Sequence, residues 1–532
     1  MISSIFPTLF SNKRSINIFA AMPLMYCATM WACDTPANLD LTIHPIFDES
    51  QPDINWLHKL ANAIHIDTLP VTITNEIAFM PECNLSDNDL AEVERHLRSR
   101  RFIRDAKVTS LTDEQGLQHV QVETWDNWSM LPTVEFGRKG GQNHFALGVK
   151  DRNLLGLGID TDFEYFSNNQ RNGYKLDTQV PLFFGQNAQA DIRLQNNNDG
   201  RQIAFFLDKP FVSLKSDYAG RIGYNHESRT DNIYQNSTDV YSFKHEIHYG
   251  ELSYGWLSQH NTESTFRYLA GYQTQSDFFQ PANTLDSIPQ DREFNYLWFG
   301  MEYIQNGYKE LQNIHLIDHI EDFNLGWYFT SRLGFSPSNS ITDNSLMWNW
   351  QISKGLEISN NALLLTNVSF ESGKTVNQPT RIRTDIDTEL FYQLAAKWAL
   401  YGKASATFAR HQFADQPVTL GGDNNLRGYP EQYQHGDNSY LFTSEIRYYP
   451  QINLFKLFEL GGTAFFDMGR TTGTPITDND ENGWLKSVGI GARFYSTRSS
   501  DQQVIHLDLA HPMSTNPDIS NWEIRLEVKH AF

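Results

Sequence analysis

Hydrophobic and polar residues alternate along the chain from about Thr133 to its end, in stretches separated by loops rich in Asn, Asp, Gly and Ser. The last stretch shows the alternation most clearly. Its polar face would carry Glu523, Arg525, Glu527 and Lys529, and its apolar face Trp522, Ile524, Leu526, Val528 and Phe532. A strand with one apolar and one polar face, repeated over about 400 residues, is typical of a transmembrane β-barrel with lipid outside and water inside.

The length of this region, residues 133–532, predicts the number of strands. About 10 residues per spanning strand, with turns and long external loops between the strands, give about 16 strands, and bacterial barrels have an even count. The predicted fold class is therefore mainly β: an antiparallel transmembrane β-barrel of about 16 strands, preceded by a small α+β domain.

Residues 71–130 carry the pattern of that α+β domain. One strand is predicted over Thr72–Phe79, and two more over Arg104–Leu111 and Leu117–Glu123. Residues 33–70 form an N-terminal segment with no regular pattern apart from a short helical stretch at Trp56–Ile64.

A charged helix is predicted between the first and second of these strands. Ser86 can cap its free backbone amides, and Asp89 stands at the capping-box position. Leu90, Val93 and Leu97 would share one apolar face, which predicts that the helix packs on the sheet.

The first 32 residues have the pattern of an export signal. Lys13 and Arg14 form a basic start, and Ile16–Ala32 forms an apolar core. A lipoprotein signal and a signal anchor are the alternatives. In an oxidising compartment Cys33 and Cys83 could pair in a disulfide, and the alternative is two unpaired thiols.

Composition narrows the function classes. A mean hydropathy of -0.48 argues against a bundle of transmembrane helices, and a net charge of -21 excludes a generic nucleic-acid binder. No nucleophile elbow or phosphate loop occurs, and the run His245, Glu246, Ile247, His248 lacks the spacing of the H-E-x-x-H zinc motif. We therefore predict no enzymatic activity, no catalytic residue, no metal and no cofactor.

Two motifs in the last quarter of the chain resemble a known superfamily. The loop motif is Leu426, Arg427, Gly428 and Tyr429; the strand motif F-x-D-x-G has Phe465, Asp467 and Gly469 at its fixed positions. In this order and spacing they resemble the BamA/TamA superfamily of outer-membrane assembly and translocation barrels, although Leu426 replaces the usual valine. The terminal residues Trp522, Leu526, Val528 and Phe532 are similar to the C-terminal strand signal of such barrels.

The resemblance implies a location and a set of partners. It implies a POTRA-like domain over residues 71–130 in the periplasm, and a barrel of the bacterial surface antigen type over residues 133–532 in the outer membrane of a Gram-negative cell. The implied partners are outer-membrane lipid, unfolded client proteins and accessory proteins, with no nucleic acid and no nucleotide.

The geometry of one pair follows from the strand alternation. Asp467 would point into the barrel, where Arg427, carried inward by its loop, could bind it through charge-assisted hydrogen bonds. Gly428 would permit a tight turn, and Tyr429 could add packing and a hydroxyl. The alternative is an exposed Arg427 and an ordinary Asp467 on the lumen wall.

The first functional hypothesis is a barrel that helps client proteins to insert into or cross the outer membrane. The first strand, near Val134–Gly137, is short and followed by Gly140 and Gly141, which predicts a weakly paired seam between the first and last strands. The two alternatives are a passive channel or ligand transporter, which would have no need of the POTRA-like domain, and a surface antigen whose long loops matter most.

Overall fold

The computed structural model describes residues 38–50, 54, 56–81, 85–112, 118–236, 238–282, 288–424, 426–455, 457–500 and 503–529. The predicted export signal, both cysteines of the predicted disulfide and Phe532 lie outside these residues.

The N-terminal residues form a small α+β unit. Its elements are β1 (Asn38–His44), α1 (Trp56–Ile64), α2 (Pro70–Glu76), α3 (Asp87–Arg98), β2 (Ile103–Thr112) and β3 (Gln118–Asp126). The sheet order is β1-β3-β2, with β1 parallel and β2 antiparallel to the central strand β3. One core joins α2 and α3 to the sheet through residues such as Ile73, Val93, Leu97 and Val122, all of which are fully buried.

Helix α3 begins as the sequence predicts. The Ser86 Oγ accepts a hydrogen bond from the Asp89 backbone N–H, and the Asp89 carboxylate accepts one from the Ser86 N–H at 3.0 Å, which completes a capping box. Leu90, Val93 and Leu97 are buried on the face that packs against the sheet.

The strand predicted over Thr72–Phe79 is wrong, because the chain forms helix α2 there. The β-branched residues suggested a strand, but Pro70 occupies the first helical turn, where its missing N–H costs nothing. Thr72, Ile73 and Glu76 are buried on one side of the helix, at a spacing that a strand could not bring together. Tertiary packing therefore overrides the local β propensity.

The rest of the chain closes into an antiparallel barrel. Its strands are β4 (Met130–Lys139), β5 (Gln142–Leu154), β6 (Ile159–Ser167), β7 (Asn172–Leu182), β8 (Ala188–Asn197), β9 (Gly200–Lys209), β10 (Tyr218–Gln235), β11 (Thr238–His260), β12 (Ser264–Pro281), β13 (Arg292–Gln305), β16 (Tyr328–Ser336), β17 (Ser345–Ser359), β18 (Ala362–Thr375), β19 (Arg381–Ala395), β20 (Trp398–Arg410), β23 (Asn438–Tyr448), β25 (Phe458–Thr472), β26 (Leu485–Ser496), β27 (Val504–Pro512) and β28 (Glu523–Lys529). The shorter strands β14 (Tyr308–Gln312), β15 (Ile320–Asn324), β21 (Val418–Leu420), β22 (Gln434–Gly436) and β24 (Asn453–Leu454) lie in the connections.

The predicted count of about 16 strands is wrong, because the barrel has 20. The estimate assumed many long external loops. Instead, most neighbouring strands are joined by short turns such as 360–361 and 396–397, and the two longest connections are 306–327 and 411–437. The same length of chain therefore accommodates more strands.

The two faces of the barrel wall differ as the alternation predicts. Ile490 and Ile524 on the outer face are 62% and 59% exposed, whereas Arg493 and Arg525 on the inner face are almost fully buried. An apolar outer face and a polar, filled interior suit a barrel surrounded by lipid. In the part of the chain that the structure describes, no helix has the length and hydrophobicity to cross a membrane.

The barrel closes at a seam with little pairing. Strands β27 and β28 pair continuously from Val504 to Ala510, but the described ladder between β28 and β4 consists of Leu526 opposite Arg138. An ion pair of 3.3 Å between the Lys139 Nζ and the Glu527 Oε1 adds to this closure.

The α+β unit sits against one end of the barrel, which we call the proximal end. The Leu69 N–H donates a hydrogen bond to the Gly156 carbonyl at 2.9 Å, and the Leu214 N–H donates one to the Glu92 carboxylate at 2.7 Å. Gly156 and Leu214 lie in turns between barrel strands, and the opposite, distal end carries the long loop 411–437.

Candidate functional site

The loop 411–437 folds back into the barrel interior. It contains β21, a short 3-10 helix (Gly422–Asn424) and β22, which pairs with β21. At its base the Arg292 guanidinium of β13 donates two hydrogen bonds of 2.8 Å to the Asp415 carboxylate. This bidentate pair attaches the start of the loop to the wall.

Arg427 at the loop tip contacts the strand motif directly. Its Nε and Nη2 donate to the two carboxylate oxygens of Asp467 at 2.7 Å and 2.8 Å, and its guanidinium lies 3.4 Å from the centroid of the Phe465 ring. Arg427 is 6% exposed and Asp467 is fully buried. The structure thus brings together the two charged residues of the loop and strand motifs, in the bidentate geometry that only arginine provides.

The pair belongs to a larger buried network. Arg427 Nη1 donates to the Glu445 Oε1 at 3.0 Å, and the other Glu445 oxygen accepts from Arg447 at 3.0 Å. The network continues to Asp508, whose carboxylate accepts a 2.6 Å hydrogen bond from Arg493 and lies 3.8 Å from Arg427. Three arginines thus face three carboxylates, and this balance offsets the large cost of removing charges from water.

Glycines leave the space that the loop needs. A Cβ atom at Gly469 would lie 2.7 Å from the Leu420 Cδ2, so a side chain there would displace the loop. Gly428 has a φ of 92°, in the left-handed region that favours glycine, and a Cβ there would crowd Pro512. The two glycines therefore permit the close approach of loop and wall.

The remaining loop-motif residues pack into an apolar cluster. Leu426 and Tyr429 are buried beside Tyr433, Leu485 and Ile519. The Tyr429 hydroxyl donates a 3.0 Å hydrogen bond to the Lys486 carbonyl, which fixes the loop to strand β26.

Glu523 links the loop to the seam, a role that the sequence does not predict. One of its carboxylate oxygens accepts a 2.7 Å hydrogen bond from the Gly428 N–H, and the other a 3.0 Å hydrogen bond from the Gly141 N–H. One carboxylate on the last strand thus holds both the loop tip and the first hairpin turn. The alternation predicts that Glu523 faces the lumen, but no local pattern identifies two partners so distant in sequence.

The residues of the predicted C-terminal strand signal lie apart from this network. Trp522 is 59% exposed, and Leu526 and Val528 are partly exposed on the same outer face. Whether they act as an assembly signal stays a prediction.

A second insertion reaches the network from the proximal end. The hairpin of β14 and β15 carries a tip whose Ile314 carbonyl accepts a 3.2 Å hydrogen bond from Arg447, and its Leu316 and Ile317 are buried against Tyr495 and other wall residues. The hairpin therefore contacts the same arginine that binds Glu445.

The same hairpin also contacts the α+β unit. Arg98 at the end of α3 donates to both Asp322 oxygens, at 3.0 Å and 2.9 Å, and to Glu310 at 2.8 Å. The charges of Asp322 and Glu310 raise the pKa of Arg98 despite its burial. A continuous series of polar contacts thus runs from the α+β unit through the hairpin to the loop.

Two groups of described residues have the side chains to hold a metal ion. They are His65, Asp67 and Asp126 in the α+β unit, and His226, Glu246 and His248 on the barrel. Asp126 already accepts hydrogen bonds from the Thr68 N–H at 2.8 Å and from its hydroxyl at 2.9 Å, so its oxygens are largely occupied.

The fold and the inserted loop define a class of protein: an outer-membrane-type barrel whose interior holds a loop fixed by a buried arginine. Residues 329–494 match the family described as haemolysin secretion/activation protein ShlB/FhaC/HecB, and the matched segment includes Arg427, Glu445 and Asp467. The match supports the predicted superfamily of outer-membrane assembly and translocation barrels. It confirms the prediction of an outer-membrane β-barrel for protein translocation or assembly.

Solved structures to which this chain is similar include CdiB from Acinetobacter baumannii, with a TM-score of 0.46, 11% identity, and coverage of 93% of this chain and 73% of that one. BamA from Haemophilus ducreyi lacking POTRA domains 1–3 has a TM-score of 0.40 and 12% identity, and the match covers 92% of this chain and 84% of that one. The FrpB iron transporter from Neisseria meningitidis (F3-3 variant) has a TM-score of 0.44 and 10% identity, and the match covers 80% of this chain and 86% of that one. Because the three include different functions at low similarity, they do not discriminate among functions. No curated protein matches the sequence.

Proposed function

We propose that this chain delivers a client protein into or across the outer membrane, with the α+β unit acting as a POTRA-like receiver in the periplasm. The observation that carries the proposal is the position of Glu523, which holds the loop tip and the first hairpin turn beside a seam with a one-residue ladder. A passive channel does not require a weakly paired seam at which its wall can open.

The topology of the α+β unit supports the role of a receiver. Strand β1 is at the edge of its sheet, and the described residues place no strand beside it on the side away from β3. The other edge is partly covered, because the Val108 N–H donates a 2.9 Å hydrogen bond to the Glu94 carboxylate. An extended client segment would therefore add to the sheet at β1, where backbone hydrogen bonds give affinity without sequence specificity.

The hairpin of β14 and β15 can couple movements of the α+β unit to the buried charge network around the loop. It is held by Arg98 at one end and by Arg447 at the other, so a shift of the α+β unit would move a segment that touches the buried charge network. The driving force would be the folding of the client, and the sequence carries no phosphate-loop motif that would indicate nucleotide hydrolysis.

Replacing Arg98 by alanine is expected to loosen the hairpin and the α+β unit together. The side chain is 10% exposed, and each lost hydrogen bond to a charged group costs about 1.5–3 kcal/mol. We expect faster proteolysis at residues 306–327 and reduced client delivery, with the barrel still folded. Lys107→Ala, which removes an exposed cation from the same unit, is the matched control. Unchanged proteolysis in the Arg98→Ala variant would contradict the coupling role.

The proposed function itself is tested by deleting the protein from its cell and quantifying surface, secreted and outer-membrane proteins. We expect a small, specific set to fall by at least several-fold and to recover on complementation. If every such protein keeps its normal level while the purified barrel conducts ions steadily, the chain is a passive channel and the proposal fails.

A further inference from the structure

Three metal-binding side chains meet on the outer face of the barrel wall. His226 on β10 lies opposite His248 in the register of β10 and β11, and Glu246 precedes His248 by two residues. Because side chains two apart on a strand share a face, and cross-strand partners are neighbours, all three project from the same patch of wall.

The distances within this triad are those of a ligand set. The His248 Nε2 lies 3.1 Å and the His226 Nε2 3.7 Å from the same Glu246 oxygen, Oε1, and the two imidazole centroids are 4.4 Å apart. One ligand atom from each residue can be chosen so that all lie within 4.8 Å of one another. Tetrahedral ligand bonds of about 2 Å place ligand atoms about 3.3 Å apart, which is close to the two measured distances to Glu246 Oε1.

We propose that His226, Glu246 and His248 form a binding site for a divalent transition-metal ion, with Zn²⁺ as the ion to test. Two imidazoles and one carboxylate are the protein ligands of open zinc sites, in which the fourth position is left for water or another oxygen ligand. Imidazole also selects zinc, copper and nickel over magnesium and calcium.

A simple ion pair explains the triad less well. A single oxygen, Glu246 Oε1, would have to serve both imidazole Nε2 atoms, at 3.1 Å and 3.7 Å. A metal ion would instead take one ligand atom from each of the three residues. The H-E-x-x-H spacing, which this segment lacks, applies to helices; on a strand the spacing that brings ligands together is two residues.

The site lies at the distal border of the apolar outer band. Ile222 and Tyr224 on β10 and Leu252 and Tyr254 on β11 form the nearby apolar surface and are about half exposed, whereas Lys244 follows on the distal side. The triad side chains are themselves partly exposed. An ion can therefore enter from water at the membrane surface.

The experiment is a Zn²⁺ titration, monitored by calorimetry, of the full-length protein folded in a maltoside detergent and stripped of metal. We expect the wild type to bind one equivalent of Zn²⁺ tightly. His226→Ala, His248→Ala and Glu246→Gln should each weaken it by about 100-fold or more, since even the loss of an outer-shell partner costs about 10–100-fold. Changing an outward side chain to alanine should leave heat-modifiable migration unchanged.

Two histidine variants serve as controls. His411→Ala removes an exposed distal histidine, and His65→Ala removes a ligand of the other candidate group. Both variants should still bind one equivalent of Zn²⁺ tightly. Loss of this binding in either control, or its retention in both His226→Ala and His248→Ala, would overturn the proposal.

A measurement on the wild type covers the case in which a variant does not fold. X-ray absorption at the zinc edge, with one equivalent bound, should show two imidazole nitrogens at about 2.0–2.1 Å together with oxygen ligands. A shell of oxygen alone, or of one imidazole, would overturn the assignment.

Discussion

Arg427→Ala is expected to destabilise the barrel by about 3–5 kcal/mol, the range for removing one partner of a buried ion pair. Asp467 is fully buried and would lose both hydrogen bonds from Arg427, and Glu445, which is 5% exposed, would lose one of its two arginine contacts. Arg427→Lys should rescue little, because an ammonium group cannot reproduce the bidentate contact with Asp467.

Asp467→Asn should cost less than Arg427→Ala. The amide keeps the shape and one oxygen acceptor, and Arg427 retains its 3.0 Å hydrogen bond to Glu445. The double variant should be less defective than the sum of the two single variants, with a coupling energy of about 0.5–3 kcal/mol, because one single change breaks the shared contact and the other weakens it.

The temperature at which the folded, fast-migrating form is lost measures stability, and the level of client proteins in the same cells measures function. Arg383→Ala is the matched control: this arginine also faces the lumen, but it is 34% exposed and pairs with Asp385, so its loss should cost at most about 1 kcal/mol. Additive effects of Arg427→Ala and Asp467→Asn, or a defect of equal size in Arg383→Ala, would show that the loop contact has no special role.

The sequence predicts those features of the fold that depend on neighbouring residues. The period of two assigns Ile490 and Ile524 to the lipid face and Arg493 and Arg525 to the interior, and the structure has them there. The capping box at Ser86 is likewise a local arrangement, complete within four residues. The order of residues within a single element is enough to predict such features.

The sequence does not predict the features of the fold that depend on contacts between distant residues. Glu523 lies 382 positions from Gly141, so its bridging role emerges only when the barrel closes. The number of strands depends on the length of every connection, and α2 depends on a core that the local β-branched residues do not reveal. The hairpin of β14 and β15 also reads as ordinary alternation, although its tip is buried inside the barrel.

A disulfide across the seam is expected to stop client delivery while the barrel stays folded. Arg138 and Leu526 are direct partners in the only described rung between the first and last strands, so cysteines at these positions meet the distance that a disulfide requires. In a background in which Cys27, Cys33 and Cys83 are serine, oxidation should lower client proteins to the level of the deletion strain, and a reductant should restore them.

The pair Leu507→Cys and Leu526→Cys is the matched control, because it shares one cysteine but joins β27 to β28, which are already paired throughout. Glu523→Gln should act in the opposite sense. The amide keeps one acceptor oxygen, so one of the two hydrogen bonds from backbone N–H groups is lost, at a cost of about 1.5–3 kcal/mol, and the other loses its charge assistance. This weakens the hold on the first hairpin turn. In this variant the seam should therefore cross-link more slowly through Arg138→Cys and Leu526→Cys, while the disulfide of the control pair should form at the usual rate.

Full client delivery through a barrel whose seam is quantitatively cross-linked would mean that clients pass through the lumen alone. The weak ladder at Leu526 would then be a consequence of closing 20 strands into a ring rather than a means of opening the barrel.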